Sequence, residues 1–307
     1  MLNVNRILFP TDFSPGSERA LDTALALAQA FGAELHMLHA VVLHADDPND
    51  PAHHFPDAEE IRRRLEHTAD LRMESGIAAR SADGLEVQRS HRRGLSIAPT
   101  ILEHALEIDP DLIVMSTHGR RGLGNVLLGS VTEEVVRLAK CPVLTVRSGE
   151  NLTTFPSADP ILVPVDFSEH SRQALALARH IASTFGADIH ALHVFERPIH
   201  PEIYLGGMPL DSPDFRTVEG SLREALETFV RETTGPDGAT SLHVVEGRAV
   251  PAILEFVEDH EVGLVVIATH GLTGLAHVLL GSVSEKVVRR ATSPVLSVKT
   301  FGKNLLA

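Results

Sequence analysis

Short apolar runs alternate with amphipathic stretches along the first half of the chain. The run at 6–10 predicts a β-strand, and apolar residues then recur every three or four positions over 20–31, which predicts a helix that ends at Gly32. Ser14 and Pro15 fit the N-cap and the first position of that helix. Alternating strands and helices are typical of a parallel sheet, because parallel neighbours need long crossover connections. The same reasoning predicts further strands at 34–42, 85–90, 111–116 and 143–147 and further helices at 58–75, 97–107 and 130–139.

The second half repeats this order of elements from 161 to 299. Segments 111–147 and 263–299 align without a gap and are identical at 22 of 37 positions. The front of each half repeats as well, with Ile-Leu-Phe-Pro-Thr-Asp-Phe-Ser at 7–14 and Ile-Leu-Val-Pro-Val-Asp-Phe-Ser at 161–168. A repeat of this length indicates a duplicated globular domain rather than a solenoid unit. We predict domains at 1–148 and 161–301, a polar linker at 149–160 and a short tail at 302–307.

The predicted fold is α/β, with two domains that each hold a five-stranded parallel sheet in the order 3-2-1-4-5, flanked by helices. Right-handed crossovers leave few topologies, and this order places a switch point between strands 1 and 4. Ligands of open parallel sheets bind outside the carboxyl ends of the strands at such a point. Asp12 and Asp166 follow strand 1, and a glycine-rich loop follows strand 4 in each copy, so we expect the binding sites there.

Composition narrows the classes of partner. The formal net charge of −14 argues against sequence-independent binding to nucleic acid and against docking on anionic lipid. No run of about 18 apolar residues predicts a transmembrane helix, and the first residues lack the apolar core of a signal peptide. Cys141 is the only cysteine, so we interpret it as a small core residue and expect no intrachain disulfide. These features predict a cytoplasmic protein.

The chemistry of the chain is concentrated in the glycine-rich loop after strand 4. The loop reads Thr-His-Gly-Arg-Arg-Gly at 117–122 and Thr-His-Gly-Leu-Thr-Gly at 269–274, and each copy ends in Leu-Leu-Gly-Ser-Val ahead of a helix. Glycine lets backbone N–H groups approach an anion, and a helix N-terminus favours phosphate. Ser130 and Ser282 also begin the Ser-x-x-Glu pattern of a capping box. Helix capping alone and capping combined with phosphate binding therefore both fit these residues.

These motifs resemble those of the universal stress protein family in its tandem-domain form. The resemblance covers nearly the whole chain and rests on the Pro-Thr/Val-Asp-Phe-Ser start, the helix ending in Phe-Gly-Ala, the Thr-His-Gly loop and the Leu-Leu-Gly-Ser-Val segment ahead of Pro-Val-Leu. It implies Rossmann-like domains of the adenine nucleotide hydrolase type and, in the nucleotide-binding branch, ATP at the switch point. That branch carries the pattern G-x2-G-x9-G-[ST], whose second and third glycines match Gly119 and Gly129, and again Gly271 and Gly281.

The resemblance also implies a role for individual positions. Asp12 and Asp166 would contact ribose or phosphate. The backbone of Ala40 and of Val194 would hydrogen-bond to adenine. The implied cofactor is ATP, with or without Mg2+.

Two small residues, Ser116 and Ala268, stand where the family pattern has its first glycine. Thr132 and Ser284 would reach the phosphates or a Mg2+ ion. The predicted binding residues of the first copy are Thr11, Asp12, Ala40, Ser116, His118, Gly119, Gly122, Gly129, Ser130, Val131 and Thr132. Those of the second copy are Val165, Asp166, Val194, Ala268, His270, Gly271, Gly274, Gly281, Ser282, Val283 and Ser284.

Some of these residues also have a simpler interpretation. Asp12 lies between a strand and a helix, where it would equally serve as a turn or capping residue. His118 and His270 would orient the loop through hydrogen bonds rather than titrate.

Histidine is abundant, with 18 residues, which raises the question of a metal site. His36 and His39 recur as His190 and His193, yet residues three apart on a strand direct their side chains to opposite faces. We predict no metal ligands. A minor alternative, which no cysteine cluster supports, is a zinc site formed by His44, His53 and His54.

Other nucleotide and hydrolase chemistries are disfavoured. No G-x4-G-K-[ST] loop or G-x-S-x-G elbow occurs, and no base is paired with a nucleophile at a recognisable spacing. We therefore predict a stress-response ATP-binding protein that couples nucleotide to an unknown protein partner, with slow ATP hydrolysis at most. The alternative is an interaction module of the same fold that binds no nucleotide, and a weak Mg2+-dependent ATPase is the third interpretation.

Two further expectations concern assembly and asymmetry. The apolar strands near 143–146 and 295–298 are expected to join the two domains edge to edge as a pseudo-dimer within the chain, and a homodimer is a weaker expectation. Arg120 and Arg121 stand where the second copy has leucine and threonine, and Thr11 stands where it has valine. The two arginines also fit a solvated pair of loop side chains, but as phosphate contacts they lead us to expect that the first copy binds ATP more tightly.

Overall fold

The chain forms two compact units. One comprises Asn3–Leu152 together with Gly302–Ala307, and the other comprises Thr153–Phe301 together with Met1–Leu2. None of the helices in the described residues is long and apolar enough to cross a membrane. The structure, a computed structural model, describes residues 2–42, 58–80, 82, 84–117, 128–147, 155–196, 215–235, 240–269, 281–299, 303 and 305.

The first unit is a parallel sheet covered by helices. Its strands lie in the order β3-β2-β1-β4-β5, and the neighbouring strands are parallel. Ile7, Leu8 and Ile113 are fully buried, as expected for central strands covered on both faces, and Cys141 is buried in the core as well. Along the chain the elements are β1 (Arg6–Pro10), α1 (Pro15–Phe31), β2 (Glu34–Val42), α2 (Ala58–Ala78), β3 (Val87–Gly94), α3 (Ile97–Ile108), β4 (Leu112–Ser116), α4 (Ser130–Leu138) and β5 (Val143–Val146).

The second unit repeats this architecture, with strands in the order β8-β7-β6-β9-β10 and parallel neighbours. The predicted α/β class with strand order 3-2-1-4-5 is therefore confirmed in both units. The elements are β6 (Ile161–Pro164), α5 (Glu169–Phe185), β7 (Ile189–Phe195), α6 (Phe215–Thr234), β8 (Thr240–Glu246), α7 (Ala249–Asp259), β9 (Leu264–Ala268), α8 (Ser282–Arg290) and β10 (Val295–Val298).

The first helix of each unit begins and ends where the sequence places its signals. Ser14 is the N-cap of α1 and accepts a hydrogen bond from a backbone N–H of the first turn at 3.2 Å, and Pro15 is the first helical residue. Ser168 caps α5 in the same way. Both helices end at a glycine in the left-handed conformation, Gly32 with φ 64° and Gly186 with φ 73°. Residues that carry a Cβ adopt this backbone conformation only at an energetic cost.

Two boundaries predicted for the first unit were wrong. Helix α2 continues to Ala78 rather than 75, and β3 covers Val87–Gly94 rather than 85–90. The charged residues at the end of β3 resemble a loop in sequence, but β3 is an edge strand, where outward charges are tolerated and discourage pairing with another chain. Three of its arginines form ion pairs with nearby helices, namely Arg89 with Glu74, Arg92 with Glu107 and Arg93 with Glu66.

The residues that follow the second domain in sequence belong to the first unit. The Lys303 N–H donates to the Lys140 carbonyl at 2.7 Å, and Leu305 is buried. The Lys303 ammonium lies 2.9 Å from a carboxylate oxygen of Asp109 and 2.9 Å from one of Asp111. Burial alone would lower the pKa of Lys303, but hydrogen bonds to the two carboxylates outweigh burial and the pKa is raised. The tail therefore has a backbone hydrogen bond and ion pairs with the first unit, and its Leu305 side chain is buried.

Truncation of the buried tail residue tests this attachment. Leu305→Ala is expected to lower the free energy of unfolding of the first unit by about 2–3 kcal/mol, because it removes buried apolar surface and leaves a cavity. Leu95→Ala is the matched control, since Leu95 is 93% exposed. Urea unfolding of both variants and of the wild type measures the difference. Equal midpoints for the two variants would show that the tail does not stabilise the unit.

A cluster of rings packs against the sheet of the second unit. His190 on β7 and His243 on β8 share a hydrogen bond of 2.9 Å between Nδ1 and Nε2. Phe256 and His260 at the end of α7 stack with their ring centroids 3.7 Å apart, and the Phe256 centroid lies 4.8 Å from that of His243. Burial, together with the charges of His190, His260 and Arg223, lowers the pKa of His243 to about 4.

This cluster predicts a loss of stability in mild acid. The pKa of His243 in the folded protein lies below its ordinary value of 6.5, so the unfolded chain binds the proton more tightly. The stabilisation that depends on neutral His243 is complete above pH 6.5 and is lost as the pH falls toward 4. Partial exposure reduces its size, and we expect about 1–2 kcal/mol between neutral pH and a pH of roughly 4.5.

His243→Gln isolates this effect from the titration of carboxylates. Glutamine places an amide near the position of Nε2 and does not titrate. Urea unfolding at the two pH values should show that the wild type loses about 1–2 kcal/mol more than the variant. An equal loss in both proteins would contradict the assignment.

Candidate functional site

In each unit the strand order reverses between two neighbouring central strands, and these two strands end side by side at the carboxyl edge of the sheet, where the carboxyl ends of the parallel strands lie. In the first unit β1 pairs with β4, and in the second unit β6 pairs with β9 in the equivalent register. Asp12 and Thr117 follow the two strands of the first unit, and Asp166 and Thr269 follow those of the second. Both segments of each predicted site therefore start from the carboxyl ends of adjacent strands.

Asp12 and Asp166 close the same turn in the two units. The Oδ1 atom of each accepts a hydrogen bond from the N–H of the serine two residues later, at 3.1 Å in both. The residue in between, Phe13 or Phe167, has a left-handed backbone with φ of 59° or 62°. This conformation costs a residue other than glycine about 1–2 kcal/mol, so surrounding contacts must hold it. The structure thus shows the turn role of the aspartates, and their contact with ribose or phosphate stays a prediction.

The Thr11 hydroxyl makes hydrogen bonds within the first unit. It accepts from the Phe13 N–H at 3.1 Å and lies 2.8 Å from the Ser17 hydroxyl oxygen. Val165, at the equivalent place, has no hydroxyl. A Thr11 hydroxyl facing the ligand was one reason to expect tighter binding by the first copy; these internal bonds give the hydroxyl a structural role, and its contact with a ligand stays a prediction.

Backbone groups of the second strand are directed past the end of the first. The Thr11 N–H donates to the Leu38 carbonyl at 2.8 Å. Successive residues of a strand direct their backbone groups to opposite neighbours. Ala40, two residues beyond Leu38, therefore directs its N–H and C=O beyond the last residue of β1. Val165 makes the equivalent bond to β7 at 2.8 Å, so Val194 is placed as Ala40 is. The predicted adenine contacts would form at these groups.

Sequence reasoning missed two histidines beside the aspartate turn. The His39 Nδ1 lies 2.8 Å from the carbonyl oxygen of Thr11, and the His193 Nδ1 lies 2.8 Å from that of Val165. Because a carbonyl oxygen can only accept, Nδ1 carries the hydrogen and donates. Each imidazole also lies against the phenylalanine of the turn, with ring centroids 4.7 Å and 4.5 Å apart. The signal in the sequence was the recurrence of this histidine at the end of strand 2 in both copies.

Gly129 and Gly281 connect the helix starts to the strand ends. The Gly129 N–H donates to the Thr117 carbonyl at 2.8 Å, and the Gly281 N–H donates to the Thr269 carbonyl at 2.7 Å. Their φ angles are −63° and −59°, so the backbone conformation does not require glycine. Space favours glycine at 281, because a Cβ there would lie 3.1 Å from the Thr269 carbonyl oxygen, which is tighter than most Cβ contacts.

The helices α4 and α8 begin directly after these glycines. Gly129 and Gly281 are the N-caps, and their carbonyls accept from the N–H four residues later at 2.9 Å. Ser130 and Ser282 are the first residues within the helices and are exposed, so the capping interpretation of these serines was wrong. The first N–H groups of each helix have no intrahelical acceptor and carry the positive end of the helix dipole. An anion at this edge would be favoured.

Thr132 and Ser284 are buried, and their hydroxyls bond back to the preceding strands. The Thr132 hydroxyl donates to the Ser116 carbonyl at 2.9 Å, and the Ser284 hydroxyl donates to the Ala268 carbonyl at 2.6 Å. These bonds fix the start of each helix against the end of its strand. A hydroxyl that donates still has lone pairs, so contact with phosphate or Mg2+ stays a prediction.

The described residues stop short of the middle of both glycine-rich loops. Within those residues, no group of three or more His, Cys, Asp or Glu side chains is arranged to hold a metal ion. The predicted residues that lie outside the described ranges are His118, Gly119, Arg120, Arg121, Gly122, His270, Gly271 and Gly274, together with the histidines of the minor zinc alternative, His44, His53 and His54.

Comparison with known proteins leads to one family. The model of the universal stress protein family matches residues 3–147 and again residues 158–299. A universal stress protein of Mycolicibacterium smegmatis is 33% identical over 218 residues, which cover 70% of each chain. A universal stress protein of Mycobacterium bovis is 28% identical over 313 residues, which cover 94% of this chain and 93% of the relative.

A solved structure agrees on the fold. That of a universal stress protein from Archaeoglobus fulgidus has a TM-score of 0.63 at 22% identity, and the match covers 97% of this chain and 99% of that one. At this identity the likeness supports the fold alone. The family model, in contrast, matches each half over the residues that build its site. The chain therefore belongs to the universal stress protein family, in its tandem form.

Proposed function

We propose that each unit binds an adenine nucleotide, ATP, at the carboxyl edge of its first and fourth strands. The observation that carries the proposal is a repetition. In both units the same edge holds a helix N-terminus, an aspartate turn and the outward-directed backbone of the second strand. These three elements match the three parts of a nucleotide, namely phosphates, ribose and base.

The helix N-terminus suits the phosphates. Ser130 and Val131, like Ser282 and Val283, carry backbone N–H groups that the helix itself does not use, and such groups bind phosphate oxygens well. Mg2+ carried by the nucleotide would find hydroxyl lone pairs on Thr132 or its counterpart.

The strand edge suits the base and the sugar. The Watson–Crick edge of adenine carries an amino donor next to a ring-nitrogen acceptor, and the C=O and N–H of one residue complement that pair. Ala40 and Val194 direct such a pair past the end of the first strand. The carboxylates of Asp12 and Asp166 suit ribose hydroxyls, as acidic side chains do in other doubly wound nucleotide sites.

We infer that a protein partner responds to the occupancy of these sites rather than to fast turnover. The oriented N–H groups and the helix dipole bind a nucleotide in its ground state. Slow Mg2+-dependent hydrolysis stays within the proposal. The pseudo-dimer of the two domains and the homodimer stay predictions.

The alternative function is an interaction module that binds no nucleotide. It is favoured by the internal bonds of Asp12, Asp166, Thr132 and Ser284, which give these side chains a structural role without a ligand. Protein purified without added nucleotide, denatured and separated by ion-exchange chromatography, shows whether ATP or ADP was bound. Calorimetric titration of nucleotide-free protein with ATP completes the test. No released nucleotide and no ATP binding would establish the module, and phosphate release with Mg2+ would establish the ATPase.

A charge placed at the helix N-terminus separates phosphate binding from folding. Ser130→Asp and Ser282→Asp should each weaken ATP binding in their own unit by roughly ten- to a hundred-fold, because a carboxylate there repels the phosphates by about 1.5–3 kcal/mol. The same change favours the helix dipole, so the fold is expected to be retained. Ser130→Asn and Ser282→Asn are the matched neutral controls.

Adenosine makes this test specific. It lacks phosphates, so its affinity should be the same in the aspartate variants, the asparagine variants and the wild type. Calorimetric titration with ATP and with adenosine at one salt concentration measures both. Unchanged ATP affinity in both aspartate variants would show that phosphate does not lie at these helices.

The first unit is still expected to bind ATP more tightly, chiefly because of Arg120 and Arg121. One charge-assisted hydrogen bond corresponds to roughly ten-fold in affinity or more. The comparison belongs in the full chain, because Lys303 and Leu305 belong to the first unit and would be missing from a fragment that ends before the second domain. Titration of the Ser282→Asp variant measures the affinity of the first site, because the second is weakened. Titration of the Ser130→Asp variant measures the affinity of the second site in the same way. Equal affinities, or no effect of replacing both arginines by alanine, would show that they do not contact the phosphates.

A further inference from the structure

The carbonyl that precedes each aspartate turn has two potential donors. In a continued parallel ladder the Thr11 C=O would accept from the N–H of Ala40, the next residue of β2 that faces β1. The structure instead shows this carbonyl accepting from the His39 Nδ1 at 2.8 Å and no hydrogen bond between it and the Ala40 N–H. The second unit has the same arrangement, in which the Val165 carbonyl accepts from the His193 Nδ1.

The imidazole therefore replaces the hydrogen bond that would have continued the ladder by one step. A carbonyl that accepts from a side chain does not need the backbone N–H of the neighbouring strand, so that N–H stays directed past the strand end. The same ring lies against Phe13 or Phe167, whose left-handed backbone needs external support. One side chain thus contacts both the carbonyl before the aspartate and the ring after it.

We propose that His39 and His193 are positioning residues of the two nucleotide sites. Each donates its Nδ1–H to the carbonyl before the aspartate, which holds the aspartate turn in place and reserves the N–H of Ala40 or Val194 for the base. The inference rests on the proposed function for the ligand, but the effect on the turn is independent of it.

Two pairs of substitutions in the full chain distinguish the hydrogen bond from simple packing. His39→Asn with His193→Asn keeps an N–H donor close to the position of Nδ1 but removes most of the ring. His39→Leu with His193→Leu keeps much of the volume but removes the donor. His36→Leu is the control for general effects, because His36 lies on the same strand, is buried and bonds to Glu34 instead.

Amide hydrogen exchange without nucleotide reports the turn at the N–H groups of Ser14 and Ser168, which donate to Asp12 and Asp166. We expect exchange about ten-fold faster or more in the leucine pair, and within about three-fold of the wild type in the asparagine pair and in the His36→Leu control. Calorimetric titration with ATP should show the same ranking, with an affinity loss of about ten-fold or more in the leucine pair.

Wild-type exchange in the leucine pair would overturn the inference. So would equal impairment of the asparagine and leucine pairs, which would assign the effect to ring packing. If the wild type binds no ATP, the proposed function fails, while the exchange rates still decide whether the histidines hold the turn.

Discussion

Backbone N–H and C=O groups that lie beyond the end of a parallel strand need hydrogen-bond partners outside the ladder. In this protein those partners determine the geometry of the candidate site. Beyond β1, the Thr11 N–H bonds to β2 and its C=O bonds to the His39 ring. Beyond β4, the Thr117 N–H donates to the Val146 carbonyl at 2.9 Å and its C=O accepts from Gly129. Four polar groups at the edge are thereby satisfied within the unit. The backbone of the second strand and the first turn of the helix are what the edge then presents to a ligand.

The sequence carried enough information for the topology because crossover handedness and strand alternation restrict it so strongly. Strand order and the caps of α1 and α5 followed from local signals. The end of β3 did not, since charged residues on an edge strand look like a loop. Ser130 was misassigned because the Ser-x-x-Glu pattern of a capping box occurs here one residue after the N-cap, which is Gly129. The histidine-to-carbonyl bond and the attachment of Lys303 and Leu305 join residues distant in sequence, and no local pattern encodes such pairs.

The duplication provides an internal comparison of what the site requires. The two copies differ at Thr11, where the second has valine, and the cluster of His190 and His243 belongs to the second unit. They nevertheless share the aspartate turn, the bond from histidine to the preceding carbonyl, the bond from glycine to threonine and the hydroxyl bond to the strand, with distances that agree within 0.3 Å for each pair. Contacts that recur while their surroundings vary are the ones that the shared geometry depends on. The Thr11 hydroxyl is therefore an accessory to the turn rather than one of its determinants.

The overall charge of the chain makes this local geometry decisive for an anionic ligand. A net charge of −14 opposes the approach of a triphosphate at long range. That repulsion is screened over a Debye length of about 8 Å at physiological ionic strength, whereas hydrogen bonds from a helix N-terminus act at contact and are screened far less. Mg2+ carried by the nucleotide would reduce the charge that the protein must accommodate. An acidic chain is thus still suited to a small anion, provided that oriented peptide N–H groups supply the affinity. The Nδ1–H of His39 or His193, which bonds the carbonyl before the aspartate turn, acts directly on this peptide geometry.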